Sequence, residues 1–204
     1  RPGYLKMGWR VIGRPRTTVR LGSVGGLGKL VRARQPADKF SLGAEICEPA
    51  AAVFADPGAA ATVDRLLEAC RPAGRLLTTN RSAAYLAWRF AFEPLHYRVV
   101  SGPDGLEGGC VVFRLRRRGS AVEAAIVEVL VPGGDGSVIS CLLEEVRRGT
   151  GADYLLRVDR TLTGRDGFVP LPGQGPVLTW RGVTEWTPPH LDEWDLSLGD
   201  LELL

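Results

Sequence analysis

One run of the chain, residues 121 to 158, limits the fold more than any other, because it alternates strand, glycine loop, helix and strand. Ala121 to Val131 predicts a strand covered on both sides, since most of it is apolar on both faces. A helix from Ser137 to Arg148 follows, with its apolar residues on one stripe. Asp153 to Val158 predicts a second strand parallel to the first, joined to it by a right-handed crossover.

The loop between this strand and the helix is a candidate phosphate-binding site. A strand that ends on glycines and continues into a helix offers free N–H groups in the first helical turn, and such groups bind anions. The candidate cofactor-binding residues are Gly133, Gly134, Gly136 and Ser137. Asp135 favours the alternative, a tight strand-to-helix turn without a phosphate, because its carboxylate would repel one.

The flanking segments predict more helices and strands. One helix is expected to begin at Asp56 and another to run from Arg81 to Phe92, where Tyr85, Trp88 and Phe92 form a stripe typical of core. Further strands are expected at Thr17 to Leu21, Tyr97 to Val100, Gly108 to Arg117, Val177 to Val183 and Trp194 to Asp200. The predicted fold class is α+β, with a mixed, mostly antiparallel sheet flanked by helices.

Charge and composition argue against several classes of protein. The net charge of +3 is too small to indicate a nucleic-acid partner. The four cysteines, Cys47, Cys70, Cys110 and Cys141, lack the close spacing of a zinc site, so no metal is expected. The sequence contains no segment with the length and apolar content of a membrane span, and no signal peptide is visible. We therefore expect a cytoplasmic protein with neither a membrane nor a nucleic-acid partner.

The first residues carry a family resemblance. Tyr4-Leu5-Lys6-Met7-Gly8-Trp9 resembles the Y-x-K-x-G-F/W ending of the last core helix in the GNAT superfamily of N-acetyltransferases. In that family the tyrosine often acts as a general acid toward the thiolate of coenzyme A, so the resemblance makes Tyr4 the candidate catalytic residue. Gly8 fits the left-handed cap that ends such a helix.

The order of predicted elements is similar to the same family. Two helices, three antiparallel strands, a helix, a strand and a terminal hairpin resemble the C-terminal domain of a tandem-GNAT acetyltransferase. The resemblance divides the chain into the tail of a first GNAT domain (1 to 22), a linker (23 to 39) and a second, degenerate GNAT-like domain (40 to 204). Because the chain begins within the motif, more of the first domain is expected upstream.

The resemblance implies acetyl transfer from acetyl-CoA, the acyl donor, to a small-molecule or peptide amine. In the family the pyrophosphate is bound at an Arg/Gln-x-x-Gly-x-Gly/Ala motif. The loop with Gly133, Gly134 and Gly136 lacks the initial Arg or Gln, so this domain is expected to be mainly non-catalytic or degenerate. The alternative is a catalytically inactive GNAT-like module used for dimerisation, including homodimerisation, or for partner binding.

Two carboxylates lie on the strand where the family sometimes places a general base. Glu123 and Glu128 are five positions apart. This spacing puts them on opposite faces of a regular strand, so at most one is expected to face a cleft. His96 and His190 are isolated in the sequence and are interpreted as structural or surface residues.

Overall fold

The computed structural model describes residues 3–23, 25–26, 28–29, 36–43, 45–72, 74–158, 167–171, 173, 175–183 and 187–201, without the side chain of Tyr4. The helices are α1 (Gly3–Lys6), α2 (Ala50–Ala55), α3 (Ala60–Ala69), α4 (Ala83–Phe90), α5 (Gly136–Thr150) and α6 (Leu198–Leu201). The strands are β1 (Arg10–Gly13), β2 (Thr17–Leu21), β3 (Glu48–Pro49), β4 (Arg98–Gly102), β5 (Gly105–Arg118), β6 (Ala121–Leu130), β7 (Tyr154–Val158), β8 (Val169–Pro170) and β9 (Leu178–Trp180).

Seven strands form one sheet in the order β3-β4-β5-β6-β7-β2-β8, and β1 pairs with β9 in a separate two-stranded sheet. Neighbours in the large sheet are antiparallel except β6 and β7, which are parallel. The helix α5 connects these two strands, so Leu130 and Leu155 lie on neighbouring parallel strands joined by a helical crossover. The predicted α+β class, with a mostly antiparallel sheet flanked by helices, is confirmed.

A long hairpin of β5 and β6 forms the centre of the sheet. Gly119 has a φ of 59°, a left-handed conformation that a tight turn requires and that glycine adopts without steric cost. The central residues of both strands are buried on both faces, as their apolar sequence predicts. The hairpin therefore supplies residues to a hydrophobic core on each side of the sheet.

Helices cover both faces of this sheet. On one face α2, α3 and α4 pack on it, and their buried residues include Phe54, Val63, Leu66, Leu86 and Phe90. On the other face α5 packs through Leu142, Leu143 and Val146. Each large apolar side chain that is fully buried contributes about 1.5–3 kcal/mol to folding.

The strand β2, which the family resemblance assigns to the tail of a first domain, lies inside the seven-stranded sheet. Its five residues pair with β7, and two of them also pair with β8. Residues 17 to 21 therefore complete the same sheet as residues 98 to 158.

Two glycines of the following segment lie where backbones approach closely. A Cβ added at Gly22 would lie 2.0 Å from the carbonyl oxygen of Ala152, and one at Gly26 would lie 2.2 Å from that of Asp153. The ammonium group of Lys29 binds the Asp153 carboxylate at 2.9 Å. Glycine is thus required at both positions for space, in addition to any freedom it gives the backbone.

The predicted core stripe on α4 is wrong for two of its three aromatic residues. The helix ends at Phe90 and buries Ala83, Leu86 and Phe90 instead. Trp88 is 72% exposed, and Phe92, which lies beyond the helix end, is 41% exposed. The Phe90 ring packs against both Phe54 and Tyr97, and this contact fixes which side of the helix faces the sheet.

The predicted last strand, from Trp194 to Asp200, is also wrong. Trp194 makes an isolated parallel bridge to Leu77, and the chain then turns into α6. The Ser197 N–H donates to Oδ2 of Asp200 at 2.8 Å, and the Asp200 N–H donates to the Ser197 hydroxyl at 3.3 Å. This reciprocal cap stabilises a helical turn where the prediction had an extended strand.

Candidate functional site

The parallel strands β6 and β7 pair over a short distance and then diverge. Pairing covers residues 123 to 125 of β6 against 154 to 156 of β7, although β6 continues to Leu130 and β7 to Val158. Each strand keeps its outer neighbour to its end, β5 beside β6 and β2 beside β7. The divergence therefore opens a gap inside the sheet and leaves both halves intact.

A β-bulge lies where the two strands separate. Val112 pairs with Glu128 and Phe113 with Ile126, so Val127 is an extra residue on β6. A bulge bends its strand and increases the local twist, and here it turns β6 away from β7.

The bulge also corrects an expectation about two carboxylates. Glu123 and Glu128 lie on the same face of β6, not on opposite faces, because the extra residue shifts the alternation of side chains by one. Glu123 is fully buried and binds Arg116, Arg118 and the Tyr154 hydroxyl, which donates at 2.9 Å. Glu128 lines the gap, so one of the two acids faces a cleft, in agreement with the sequence prediction.

A cleft of about 1050 Å³ occupies the gap between the diverging strands. Its walls come from β6, the start of α5, the end of β7, the C-terminal segment and the stretch between α3 and α4. Residues that bear on its chemistry are Arg81, Glu128, Gly134, Gly136, Arg157 and Ser197. Its volume lies just above the range of about 300–1000 Å³ that is usual for ligand sites.

Glu128 is the buried acid of this cleft, with a side chain that is 5% exposed. Its Oε1 accepts a hydrogen bond of 2.7 Å from the Ser197 hydroxyl and lies 3.3 Å from the Arg81 guanidinium. Within the described residues no bond reaches Oε2. Burial raises the pKa of Glu128 to about 7 against the opposing effect of Arg81, and Asp200 raises it further. Such a carboxyl group gains or loses a proton near neutral pH.

Two arginines hold the C-terminal segment beside this carboxyl group. Arg89 belongs to α4, and Arg81 directly precedes Ser82, the N-cap residue of that helix. Arg81 binds Oδ2 of Asp200 at 2.6 Å and donates to the Ser197 hydroxyl at 3.2 Å. Arg89 donates to the carbonyl oxygen of Gly199 at 3.1 Å. The position of α6, and with it the Ser197 hydroxyl, is therefore set by ion pairs and hydrogen bonds from the α4 region.

The loop with the four candidate cofactor-binding residues lies at one end of the cleft. Gly134 and Gly136 line it, and Ser137 belongs to the first turn of α5. Gly133 and Gly134 have φ angles of 61° and 66°, which favour glycine. The sequence correctly predicts that these residues form the glycine loop and the start of the helix, while their binding of a cofactor stays a prediction.

The helix start already has an anionic partner within the chain. Oδ1 of Asp135 accepts hydrogen bonds from the Ser137 N–H at 2.8 Å, the Ser137 hydroxyl at 2.6 Å and the Val138 N–H at 3.4 Å. The Ser137 hydroxyl and N–H, with the Val138 N–H, hold the pKa of Asp135 below its usual value. Asp135 is therefore a carboxylate at neutral pH and occupies groups that a phosphate would use.

Tyr4, the candidate catalytic residue, lies in α1, and its side chain is outside the described part of the structure. The helix is followed by Gly8 with a φ of 85°, which confirms the expected left-handed cap. The chain then enters β1, which belongs to the two-stranded sheet. The role of Tyr4 as a general acid stays a prediction.

Sequence reasoning missed three residues that surround Glu128, namely Arg81, Ser197 and Asp200. The signal for two of them is the spacing Ser197-x-x-Asp200, which is a capping pattern for a helix. Arg81 carried no comparable signal, since it lies 47 positions from Glu128 and their approach depends on how α4 packs.

No group of three or more His, Cys, Asp or Glu side chains in the described segments is arranged to hold a metal ion. In the same segments, no helix is long and apolar enough to cross a membrane. The sequence matches no model of a known protein family, and no curated protein is significantly similar to it.

Proposed function

We propose that this chain is a degenerate GNAT-like domain of an acetyl-CoA-dependent N-acyltransferase, and that its cleft holds the amine acceptor. The observation that carries the proposal is a pair of parallel strands, joined by α5, that diverge beside the buried carboxyl group of Glu128. The resemblance of residues 4 to 9 to the family motif supports the assignment to the family.

The carboxyl group explains why the acceptor would be an amine. An amine reaches the cleft as a cation, and a nearby positive charge lowers the pKa of a carboxyl group. Glu128 would therefore lose its proton on binding and form a charge-assisted hydrogen bond through Oε2. Ser197 and Arg81 hold Oε1, so the carboxylate is oriented before the ligand arrives.

The acyl donor is assigned to the first domain, because Asp135 occupies the start of α5. A pyrophosphate at this place would have to displace the Asp135 carboxylate from Ser137 and Val138, and it would meet a like charge. In this arrangement Tyr4 acts as the general acid toward the coenzyme A thiolate, as the family resemblance implies.

A catalytically inactive module for dimerisation or partner binding is the second candidate function. Asp135 favours this function, because it occupies the N–H groups that would bind the phosphates of the acyl donor, and a domain that binds no acyl donor cannot catalyse acyl transfer by itself. Trp88 favours it as well, since a tryptophan that is 72% exposed is frequent in interfaces.

Titration with coenzyme A and with simple amines separates these functions. We expect millimolar coenzyme A to leave the thermal unfolding of this chain unchanged, whereas an amine that binds would stabilise it by about 2.7 kcal/mol at one hundred times Kd. With a preceding GNAT domain present, acetyl-CoA and an amine should release free thiol. Absence of both amine binding and thiol release would leave the inactive module; tight coenzyme A binding to this chain would contradict the acceptor role.

A further inference from the structure

The two-stranded sheet of β1 and β9 lies in a part of the chain where exposed apolar residues are concentrated. Eleven large hydrophobic residues are exposed in the described structure, and five of them lie within residues 7–11 and 177–183. These five are Met7, Trp9, Val11, Val177 and Val183. Single exposed hydrophobic residues are ordinary, whereas a cluster of them marks a surface that binds another molecule.

The pairing of β1 with β9 shows which side of this sheet is open. Val11 pairs with Thr179, and Gly13 pairs with Leu178. Because Thr179 and Leu178 are neighbours on one strand, the two pairs point to opposite faces of the sheet. A Cβ added at Gly13 would lie 3.0 Å from the Leu191 side chain, so Leu191 covers the inner face. The pair of Val11 and Thr179 lies on the outer face, where Val11 is 54% exposed.

A tryptophan and an arginine continue the outer face beyond this pair. Trp9 lies two positions before Val11, and Arg181 lies two positions after Thr179. Strand alternation therefore places both on the outer face. Nε of Arg181 lies 4.0 Å from a Cβ built on Gly8, so the two segments stay adjacent here. The outer face thus combines an indole, an aliphatic side chain and a guanidinium group.

Exposed cations flank this face. Lys6, Arg10, Arg14, Arg16 and Arg181 are all exposed, and none of them forms an ion pair with a described residue. The first 37 residues of the sequence contain nine Lys or Arg and no Asp or Glu, although the net charge of the whole chain is only +3. Positive charge is therefore concentrated in the segment that builds α1, β1 and β2, and such a local excess indicates an anionic partner.

The acidic residues that approach this sheet come from the segment behind it. Asp192 and Glu193 follow Leu191, which covers the inner face. Oε1 of Glu193 already accepts the His190 N–H at 2.7 Å. No residue of the outer face lines the cleft beside Glu128. The outer face is therefore a surface of its own, positive in charge and separate from the cleft.

We infer that the outer face of β1 and β9 binds the surface of an anionic phospholipid bilayer. Tryptophan is enriched at the boundary between headgroups and acyl chains, and aliphatic side chains such as Val11 enter the same layer. The flanking cations are attracted to the anionic lipids, and guanidinium groups bind phosphate with two hydrogen bonds. The expectation of no membrane partner rests on the lack of a spanning segment, which binding at a membrane surface does not need.

Other partners fit the outer face less well. The centre of a protein interface is depleted in charged residues, whereas here cations alternate with apolar residues from Lys6 to Val11. A single-stranded nucleic acid stacks its bases on aromatic side chains, whereas the exposed residues here are mainly aliphatic. Both partners are therefore tested as alternatives.

Cosedimentation with lipid vesicles tests this inference on the 204-residue chain. We expect vesicles of equal parts phosphatidylcholine and phosphatidylglycerol to bind at least about tenfold more tightly than vesicles of phosphatidylcholine alone. Binding should weaken as the salt concentration rises, because exposed charges are screened. Equal affinity for both kinds of vesicle would overturn the inference. Tighter binding of single-stranded DNA than of the anionic vesicles would assign the outer face to a nucleic acid and would equally overturn it.

Matched variants locate the membrane-binding surface. Trp9→Ala should weaken binding to the anionic vesicles about tenfold, whereas Trp88→Ala, which removes an exposed tryptophan from α4, should change it less than about twofold. Arg181→Gln should weaken binding about fivefold, whereas Arg65→Gln, at an exposed position of α3, should change it less than about twofold. The arginine pair keeps the test valid if Trp9→Ala does not fold. Equal loss in a variant and its control would overturn the assignment to the outer face.

A longer protein that carries the preceding domain of the proposed function provides a further comparison. The inference requires this protein to bind the anionic vesicles with an affinity within about threefold of that of the 204-residue chain. Loss of vesicle binding in the longer protein would show that the other domain covers the outer face, and it would overturn the inference. Thiol release from acetyl-CoA is a separate measurement, so acyl transfer and membrane binding can each fail without the other.

Discussion

The hydroxyl of Ser197 donates a 2.7 Å hydrogen bond to Oε1 of Glu128, although the two residues are 69 positions apart. The same hydroxyl accepts the Asp200 N–H at 3.3 Å in the cap of α6. The cap of the C-terminal helix and the buried acid of the cleft therefore share one side chain. Changes at Glu128 should consequently affect stability as well as ligand binding.

Stability should fall as the pH rises through the range in which Glu128 ionises. Its pKa is 4.5 ordinarily and about 7 in the folded chain, so between these values the folded state binds more protons than the unfolded state. The linkage relation then requires wild-type stability to decrease relative to Glu128→Gln over this range, by about 3 kcal/mol at most. Urea unfolding of both proteins at pH 5 and pH 8 measures the difference, and a pH-independent difference would contradict the buried, protonated carboxyl group.

Gly22→Ala should destabilise the fold by about 1–3 kcal/mol, the usual cost of inserting a methyl group where no space exists. The added Cβ would lie 2.0 Å from the carbonyl oxygen of Ala152, so the pairing of β2 beside β7 would have to shift. Gly28→Ala is the matched control, because nothing lies within 4 Å of a Cβ built there. Thermal unfolding compares the stabilities of the two variants. Equal stability would show that the backbone at Gly22 does not lie this close to the carbonyl oxygen of Ala152.

Phe90→Ala should cost about 3–5 kcal/mol, as is usual for a phenylalanine lost from a core. Phe90 is 2% exposed and packs on Phe54 and Tyr97. Trp88→Ala on the same helix should change the free energy of unfolding by less than about 0.5 kcal/mol, because Trp88 is 72% exposed. Chemical denaturation measures the loss of unfolding free energy in both variants. A larger loss in Trp88→Ala than in Phe90→Ala would support the core stripe of Tyr85, Trp88 and Phe92 that the sequence predicts.

Asp135→Ala should increase the affinity of the chain for coenzyme A, because it removes a negative charge and frees the N–H groups of Ser137 and Val138. The variant should also unfold at a lower temperature, since α5 loses its cap. Asp135→Asn is the matched control, because it removes the charge and keeps a capping oxygen. Calorimetry should rank the affinities Ala, then Asn, then wild type; coenzyme A binding that is strongest in wild type would refute the role given to Asp135.

The parallel unit of β6, α5 and β7 could be predicted from sequence because its signals are local. The apolar run before Gly133, the amphipathic helix and Gly151 as its left-handed cap each act within a few residues. The expected grouping of Gly133, Gly134, Gly136 and Ser137 follows from the same local order. In such segments the tertiary structure agrees with local preference, which is why pattern reasoning succeeds.

The cleft itself depends on contacts that sequence order does not display. The bulge at Val127 arises from the register between β5 and β6, and an apolar run contains no mark of an extra residue. Arg81, Glu128 and Asp200 meet only after α4 and α6 pack on the sheet. The prediction for residues 194 to 200 failed for a different reason: the local cap between Ser197 and Asp200 stabilises a helical turn there, and this outweighs the strand preference of the segment.

The release of protons on amine binding tests the central claim most directly. Calorimetric titration of the chain with n-butylamine at pH 6, repeated in buffers of different ionisation enthalpy, gives the number of protons released. An ammonium group that binds at Glu128 must displace the proton this carboxyl group carries below a pKa of about 7. We therefore predict release of most of one proton by wild type and none by Glu128→Gln. Binding without proton release in wild type, or equal release in both proteins, would contradict the account.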